Sequence, residues 1–247
     1  MIRFSVDPNY AGKNLPGWFM VASYLQKSIG QRVKFIPYKD FDEARNAVLS
    51  GAIDIVYANP FDWVFFMNEI GFLPIAKPRN HFDEVIVCSK KYKSYLELTK
   101  PIKIISAHKK TFVHMVGLFL LEKAEIDLDS CKFNFSGSYQ SVIKNVLQSE
   151  YDIGFVLSEV YEKSSVIIKS QLNILDVSND GFVFHAFCIS PRLIELQKSI
   201  TESILNFNSK LLDDIGFEGF ETISEDEIFT ISSLANEYIG SLNREAS

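Results

Sequence analysis

The residues able to do chemistry are few and scattered. His81, His108, His114 and His185 have no carboxylate at a fixed offset, and no nucleophile elbow, phosphate-binding P-loop or HExxH zinc pattern occurs. The cysteines Cys88, Cys131 and Cys188 lie far apart, with neither a CxxC pair nor metal-ligand spacing, so no disulfide framework and no metal centre are expected. Cys88 and Cys188 sit inside apolar runs and read as small buried hydrophobes. The run Gly12-Lys13-Asn14-Leu15-Pro16-Gly17 lacks dinucleotide-binding spacing and reads as a surface loop. More informative are polar and aromatic residues placed directly after strand-length apolar runs. They are Asp7, Pro8, Asn9 and Tyr10; then Tyr57, Ala58, Asn59 and Pro60; then Ser106 to Thr111; then Ser138, Tyr139, Gln140 and Ser141. Open α/β sheets bind ligands beyond the carboxyl ends of their strands. Helix N-termini there present unpaired N–H groups to an anion or a carbonyl. Ordinary helix capping uses the same residue types, so any one group is ambiguous; four in one chain argue for a cleft.

The elements that must position these residues alternate. Strand-length runs are Ile2 to Val6, Val33 to Ile36, Ile53 to Tyr57, Glu84 to Cys88, Ile102 to Ser106, Lys132 to Phe135, Ile153 to Leu157, Leu172 to Leu175 and Phe182 to Ile189. Helical periodicity covers Gly17 to Ile29, Phe41 to Ser50, Phe61 to Glu69, Phe112 to Lys123, Gln140 to Ser149, Pro191 to Leu212 and Ser224 to Leu242. Such alternation predicts an α/β fold with largely parallel pairing. Pro191 and the Ser224-x-x-Glu227 capping box mark helix starts, because each deals with N–H groups that a first turn leaves unpaired.

An internal echo organises the chain. Asn46-Ala47-Val48-Leu49-Ser50-Gly51-Ala52-Ile53-Asp54-Ile55 is matched, one residue shorter, by Asn145-Val146-Leu147-Gln148-Ser149-Glu150-Tyr151-Asp152-Ile153. In both, an amphipathic helix ends in a polar turn and an Asp introduces a strand, which predicts two similar lobes. No Pro-, Gly- or Ser-rich linker separates them, so the lobes are expected to exchange strands. The crossings are placed near Glu84 to Cys88, after Lys77-Pro78-Arg79-Asn80-His81, and near Phe182 to Ile189, after Ser178-Asn179-Asp180-Gly181. Residues 1–83 and 186–247 form lobe 1 on this reading and 84–185 lobe 2, with the C-terminal helices returning to lobe 1.

The 247 residues are 47% hydrophobic and 23% charged, with 21 Phe, the balance of a folded globular chain. A net charge of -6 without a basic block makes nucleic acid an unexpected partner. No apolar run approaches the roughly 18 residues that span a membrane. The N-terminus shows no basic segment, apolar core or small-residue cleavage site, so either the chain is cytoplasmic or a leader has been removed.

The segment Phe41-x-Glu43-x-x-x-Ala47-Val48-x-Ser50-Gly51-x-Ile53-Asp54-Ile55-x-Tyr57-Ala58-Asn59-Pro60 resembles the first lobe of type II solute-binding proteins, specifically the PhnD-like phosphate/phosphite/phosphonate-binding group. Gln140 to Val156, with Val146, Asp152, Gly154 and Val156, is similar to that family's second lobe, and Ile215-Gly216-Phe217-Glu218-Gly219-Phe220 to its C-terminal segment. The resemblance implies a two-lobed type II periplasmic-binding-protein fold, with mixed sheets, flanking helices and two hinge crossings that close on a ligand. It further implies a non-enzymatic receptor without cofactor, a monomer outside the cytoplasm that captures a small anion for the membrane subunits of an ABC transporter, or for a sensor kinase or cyclase. Carried over by position, it points to Tyr10, Tyr57 and Asn59 in lobe 1 and to Lys110, Thr111, Tyr139 and Gln140 in lobe 2, with His185 near the return crossing. The family commonly has a Ser/Thr-Ser-Gly run where this chain has Lys109-Lys110-Thr111-Phe112, and a His where it has Tyr139. The three tyrosines suit the walls of a pocket for an organic solute equally. Two rival readings stand beside this one. The first is a cytoplasmic enzyme on the same fold, similar to chorismate dehydratases, although that group's Ser-Tyr-Leu-Asn is Asp7-Pro8-Asn9-Tyr10 here. The second is an interaction module whose cleft is filled by its own side chains.

Overall fold

In the computed structural model, which describes residues 1–179 and 181–245, the apolar runs pair as strands and the amphipathic segments pack over them. The order runs β1 (Ile2–Val6), α1 (Pro8–Lys13), α2 (Leu15–Ile29), β2 (Val33–Phe35), α3 (Phe41–Leu49), β3 (Ile55–Ala58), α4 (Pro60–Ile70), β4 (Leu73–Pro78), β5 (Val85–Ser89), β6 (Ile102–Ser106) and α5 (Phe112–Lys123). It continues with β7 (Cys131–Phe135), α6 (Tyr139–Leu147), β8 (Ile153–Leu157), α7 (Ser158–Glu162), α8 (Val166–Lys169), β9 (Asn173–Val177), β10 (Ala186–Ile189), α9 (Gln197–Leu205), α10 (Ser209–Ile215), β11 (Phe220–Glu221) and α11 (Glu225–Glu245). No helix among the described residues is long and apolar enough to cross a membrane.

The chain divides into two compact units, Met1–Phe82 with the chain from Phe184 onward, and Asp83–Val183. Unit 1 holds a sheet in the order β11-β4-β10-β3-β1-β2, and unit 2 a sheet in the order β7-β6-β8-β5-β9. In unit 1, β1 lies parallel to β2 and β3, and β10 runs antiparallel between β3 and β4. In unit 2, β6 lies parallel to β7 and β8, and β5 runs antiparallel between β8 and β9. One pattern is therefore built twice. The Asp of each half of the sequence echo fastens the central parallel strand: the Arg3 backbone N–H donates to Asp54 Oδ2 (2.7 Å), and the Lys103 N–H to Asp152 Oδ2 (2.8 Å). The polar turns match too. Gly51 (φ +71°) and Ser149 (φ +62°) each end a helix in the left-handed conformation that reverses the chain toward the strand.

The unit 1 core joins Phe4, Trp18, Leu25, Ile55, Tyr57 and Phe187 from the sheet and α2 with Ile200, Ile204 and Phe207 from the C-terminal region. In unit 2, α5 lies directly against β8. A Cβ on Gly117 would meet the Phe155 ring at 2.3 Å, so only glycine permits that approach. Cys88 and Cys188 are fully buried, and burial pushes the Cys88 thiol up to about 12, in keeping with their reading as small hydrophobes.

Several expectations are corrected. Gly12 to Gly17 is not a loop: α1 runs through Lys13 and α2 starts at Leu15, because Pro is tolerated in a first turn, where its missing N–H has no intrahelical acceptor. Pro191 to Leu212 is not one helix but a 3₁₀ segment, Pro191–Leu196, followed by α9 and α10, broken where Asn208 caps α10 through the Leu211 N–H (2.9 Å). Only Ala186–Ile189 of the run Phe182 to Ile189 is strand. Leu73–Pro78, absent from the expected strands, is one, and it takes in Lys77 and Pro78 of the turn-rich run Lys77 to His81, with Pro78 at its end opposite Phe220. The elements α1, α7, α8 and β11 were not legible either. In the turn Ser178 to Gly181, Asp180 lies outside the described residues.

Candidate functional site

In unit 1 the carboxyl ends of β1 and β3 lead into α1 and α4 through Asp7-Pro8 and Asn59-Pro60, each an N-cap side chain followed by Pro at the first helical position. The loops are tied together: the Asp7 N–H donates to the Tyr57 carbonyl (2.8 Å), and Asn59 Nδ2 donates to Asp7 Oδ2 (2.9 Å). Asn59 Nδ2 also donates to Asp62 Oδ2 (2.7 Å), while Asn59 Oδ1 accepts from the Asp62 N–H (3.0 Å). Both amide hydrogens of Asn59 thus serve two buried carboxylates, which makes it a brace for Asp7. Asp62 Oδ1 in turn accepts from Arg45 Nε, a guanidinium on α3 packed over the Phe41 and Phe61 rings.

Because β10 runs antiparallel to β3, its first residues return to the carboxyl end of β3, and His185 arrives beside Asp7, Nε2 to Oδ2 3.7 Å. The His185 ring stacks on Tyr57 (centroids 5.4 Å, 27°) and meets Tyr10 edge-on (4.8 Å). Tyr10 Oη lies 3.3 Å from His81 Nε2. Burial raises the Asp7 carboxyl, but His185, the Asn59 amide and the Asn9 N–H together hold it below the ordinary range. Burial raises Asp62 as well; there Arg45 opposes the rise only in part, and the Asp7 charge adds to it. Tyr57 is fully enclosed, its ring packed on Trp18, Phe187, Phe217 and Phe220, so it belongs to the core as much as to any pocket wall.

In unit 2 the loops after β6 and β7 are joined as firmly. The Ser136 N–H donates to the Ser106 carbonyl (3.0 Å) and the Gly137 N–H to the Ala107 carbonyl (2.8 Å). This sets the starts of α5 and α6 on one edge of the sheet, with N-caps Thr111 and Ser138. Thr111 Oγ1 accepts from the His114 N–H (3.3 Å) and donates to the His108 carbonyl (2.8 Å). Tyr139 is buried at the start of α6, Gln140 is exposed next to it, and Lys110 is exposed before Thr111. Ser106 Oγ and His114 Nδ1 are buried without a hydrogen-bond partner among the described residues. His114 lies among the rings of Phe133, Phe135 and Phe155; burial first, then the charges of Lys109 and His108, lower its pKa to about 3, so it is neutral.

The structure therefore gathers Tyr10, Tyr57, Asn59 and His185 in unit 1, and Lys110, Thr111, Tyr139 and Gln140 on two adjoining loops of unit 2. Sequence reasoning missed Asp62, Arg45 and His114 as members. Asp62 had a signal, since an acidic residue three positions after an N-cap Asn faces back to it. Arg45 had none, because on an amphipathic helix it reads as a solvated charge.

A family model described as "ABC transporter, phosphonate, periplasmic substrate-binding protein" matches residues 4–228. No curated protein matches the chain. Among solved structures, PhnD1 from Prochlorococcus marinus in complex with methylphosphonate is similar at 17% identity and a TM-score of 0.82, over 96% of this chain and 97% of that one. A binding-protein component of an ABC phosphonate transporter from Pseudomonas aeruginosa is similar at 15% identity and 0.80, over 96% and 86%. The periplasmic aliphatic sulphonate binding protein SsuA from Escherichia coli follows at 12% and 0.69, over 97% and 87%. At these identities the likeness is one of fold.

Proposed function

The chain belongs to the phosphonate-binding periplasmic substrate-binding proteins of ABC transporters, and on that premise we propose that it is a receptor for a small phosphonate- or phosphate-like oxyanion. The observation that carries this reading is the pair of helix starts in unit 2. There α5 and α6 begin side by side, each leaving N–H groups without intrahelical partners, next to the unpartnered Ser106 hydroxyl and to Lys109 and Lys110. Helix N–H dipoles, a hydroxyl donor and cationic side chains are what a tetrahedral oxyanion needs, and the helix starts are fixed before the ligand arrives.

In this reading Thr111, Lys110, Tyr139 and Gln140 form the unit 2 half of the recognition set. Tyr10, Tyr57 and His185 form the unit 1 half, with Asn59 holding Asp7 in register. The protein works outside the cytoplasm as a monomer that hands its ligand to transporter membrane subunits, the reading favoured over a sensor kinase partner because the family serves transporters. The role requires no bond making or breaking, so no residue is assigned a catalytic part.

The test is thermal unfolding with methylphosphonate, phosphite, phosphate, methanesulfonate and a carboxylate control. A ligand at about 100 times its Kd adds roughly 2.7 kcal/mol, which moves the Tm of a domain this size by about 5 to 10 °C. A shift with one oxyanion, lost in Ser106→Ala and Thr111→Val, is the expected result. No shift with any oxyanion overturns the proposal.

A further inference from the structure

Arg45, Asp62, Asn59, Asp7 and His185 make a continuous polar chain in which every member is at most 6% exposed. Its charges do not balance if the imidazole is neutral. Asp7 and Asp62 bring two negative charges and Arg45 one positive, and burying a net charge without a counterion is costly. One further proton restores neutrality, and the hydrogen bonds say where it fits. Both oxygens of Asp7 accept N–H bonds, from Asn9 (2.9 Å) and from Asn59. Both oxygens of Asp62 do the same, from Arg45 and from Asn59. A carboxylic proton on either would face donors, whereas His185 Nε2 lies 3.7 Å from Asp7 Oδ2, within ion-pair reach, where a protonated ring meets the carboxylate.

We propose that His185 is an imidazolium paired with Asp7, and that this ion pair, braced by Asn59, Asp62 and Arg45, is the specificity-determining charge that unit 1 offers to an anionic group of the ligand. The proposal rests on the oxyanion-receptor reading above and names a determinant within it. The surrounding groups leave that role to His185. Tyr10 on α1 and Tyr57 on β3 face its ring. Lys77 on β4 is already paired with Glu221 (3.0 Å) and Glu227 (2.5 Å), and His81 engages the Tyr10 hydroxyl. Asp62 is the rival seat for the proton, because burial raises it.

The experiment is a side-chain NMR titration of the four histidines in the unliganded protein, His185 being assigned through His185→Gln. His185 is expected to titrate above about 7.5 in the parent and below about 6.5 in Asp7→Asn, since a facing carboxylate favours the charged ring and burial alone disfavours it. A parent midpoint at or below about 6.5 overturns the ion pair, whether or not Asp7→Asn folds. Calorimetric Kd values for methylphosphonate in the parent and His185→Gln then test the ligand half, the ligand's own ionisation cancelling in their ratio. The parent is expected to bind roughly tenfold more tightly at pH 6.5, the advantage shrinking toward parity at pH 9.5 as the ring deprotonates. A ratio that does not change with pH overturns the charge role. A raised His185 midpoint with no binding of any oxyanion of the panel by either protein overturns the receptor reading and leaves the ion pair standing.

Discussion

His114 gives the fold a built-in acid sensitivity. It is 4% exposed among three phenyl rings, Nδ1 has no hydrogen-bond partner among the described residues, and its pKa is lowered to about 3. In the unfolded chain the same ring titrates near 6.5. A group depressed on folding leaves stability intact above its unfolded pKa and removes it as pH falls toward the folded one, because the unfolded chain then binds the proton that the fold refuses. Between pH 7.5 and pH 5.0 the loss is about 2 kcal/mol, and by pH 4 about 3 kcal/mol. The assay is urea unfolding at pH 7.5 and 5.0 of the parent and of His114→Phe, which keeps an aromatic ring in the cage but cannot take a proton. Carboxylate titrations are common to both proteins and cancel in the difference. Trp18 and Trp63 both lie in unit 1, so circular dichroism and amide hydrogen exchange of α5, rather than tryptophan fluorescence, report on unit 2. The parent is expected to lose about 2 kcal/mol more than the variant over this interval. Equal losses would refute the reasoning, showing that the fold lets His114 reach a proton at little cost.

Other perturbations test the scaffold. Gly117→Ala drives a methyl into the Phe155 ring and should lower unfolding free energy by about 1 to 3 kcal/mol despite the better helix propensity of Ala; unchanged urea stability would mean that α5 can shift. Asp54 accepts from the Arg3 backbone and side chain and pairs with Arg192, whereas among the described residues the Asp152 carboxylate accepts only from the Lys103 N–H. Asp54→Ala should therefore cost about 2 to 3 kcal/mol and Asp152→Ala about 1 kcal/mol, and the reverse order would deny the echo its unequal fastening. Lys77→Met leaves Glu221 and Glu227 without their buried cation and should loosen the start of α11 by about 1 to 3 kcal/mol, seen as faster hydrogen exchange there. Burial raises the Glu227 carboxyl, but Lys77 and Ser224 hold it below its ordinary value. The stability it lends is present above about pH 4.5 and fades on acidification, a dependence that Lys77→Met should weaken while the Ser224 hydrogen bonds keep the remainder.

Periodicity made most of the parallel scaffold legible, because a strand buried on both faces needs a continuous apolar run and a helix on its surface needs a repeat near 3.6. The echo around Asp54 and Asp152 was legible too, since a helix that ends, reverses through a left-handed residue and enters a strand leaves the same few residues wherever it is built. The loops after β3, β6 and β7 were placed at the helix starts for the same local reason. Where sequence signals failed, a competing local preference spoke first. The run Gly12 to Gly17 read as a loop but its Pro16 sits in the first turn of α2, and Pro78 lies in a turn-rich run but ends a strand opposite Phe220. Only tertiary structure decided the chemistry of the candidate site. Antiparallel return of β10 puts His185 beside Asp7, far away in the chain, and the approach of α4 to the loop after β1 lets Asn59 give its amide hydrogens to both Asp62 and Asp7. Arg45 changes from a solvated charge to a buried counterion by the packing of α3 on α4. Charge state, burial and partner choice depend on which surfaces meet, and that is a property of long-range contacts that no local spacing in the sequence encodes.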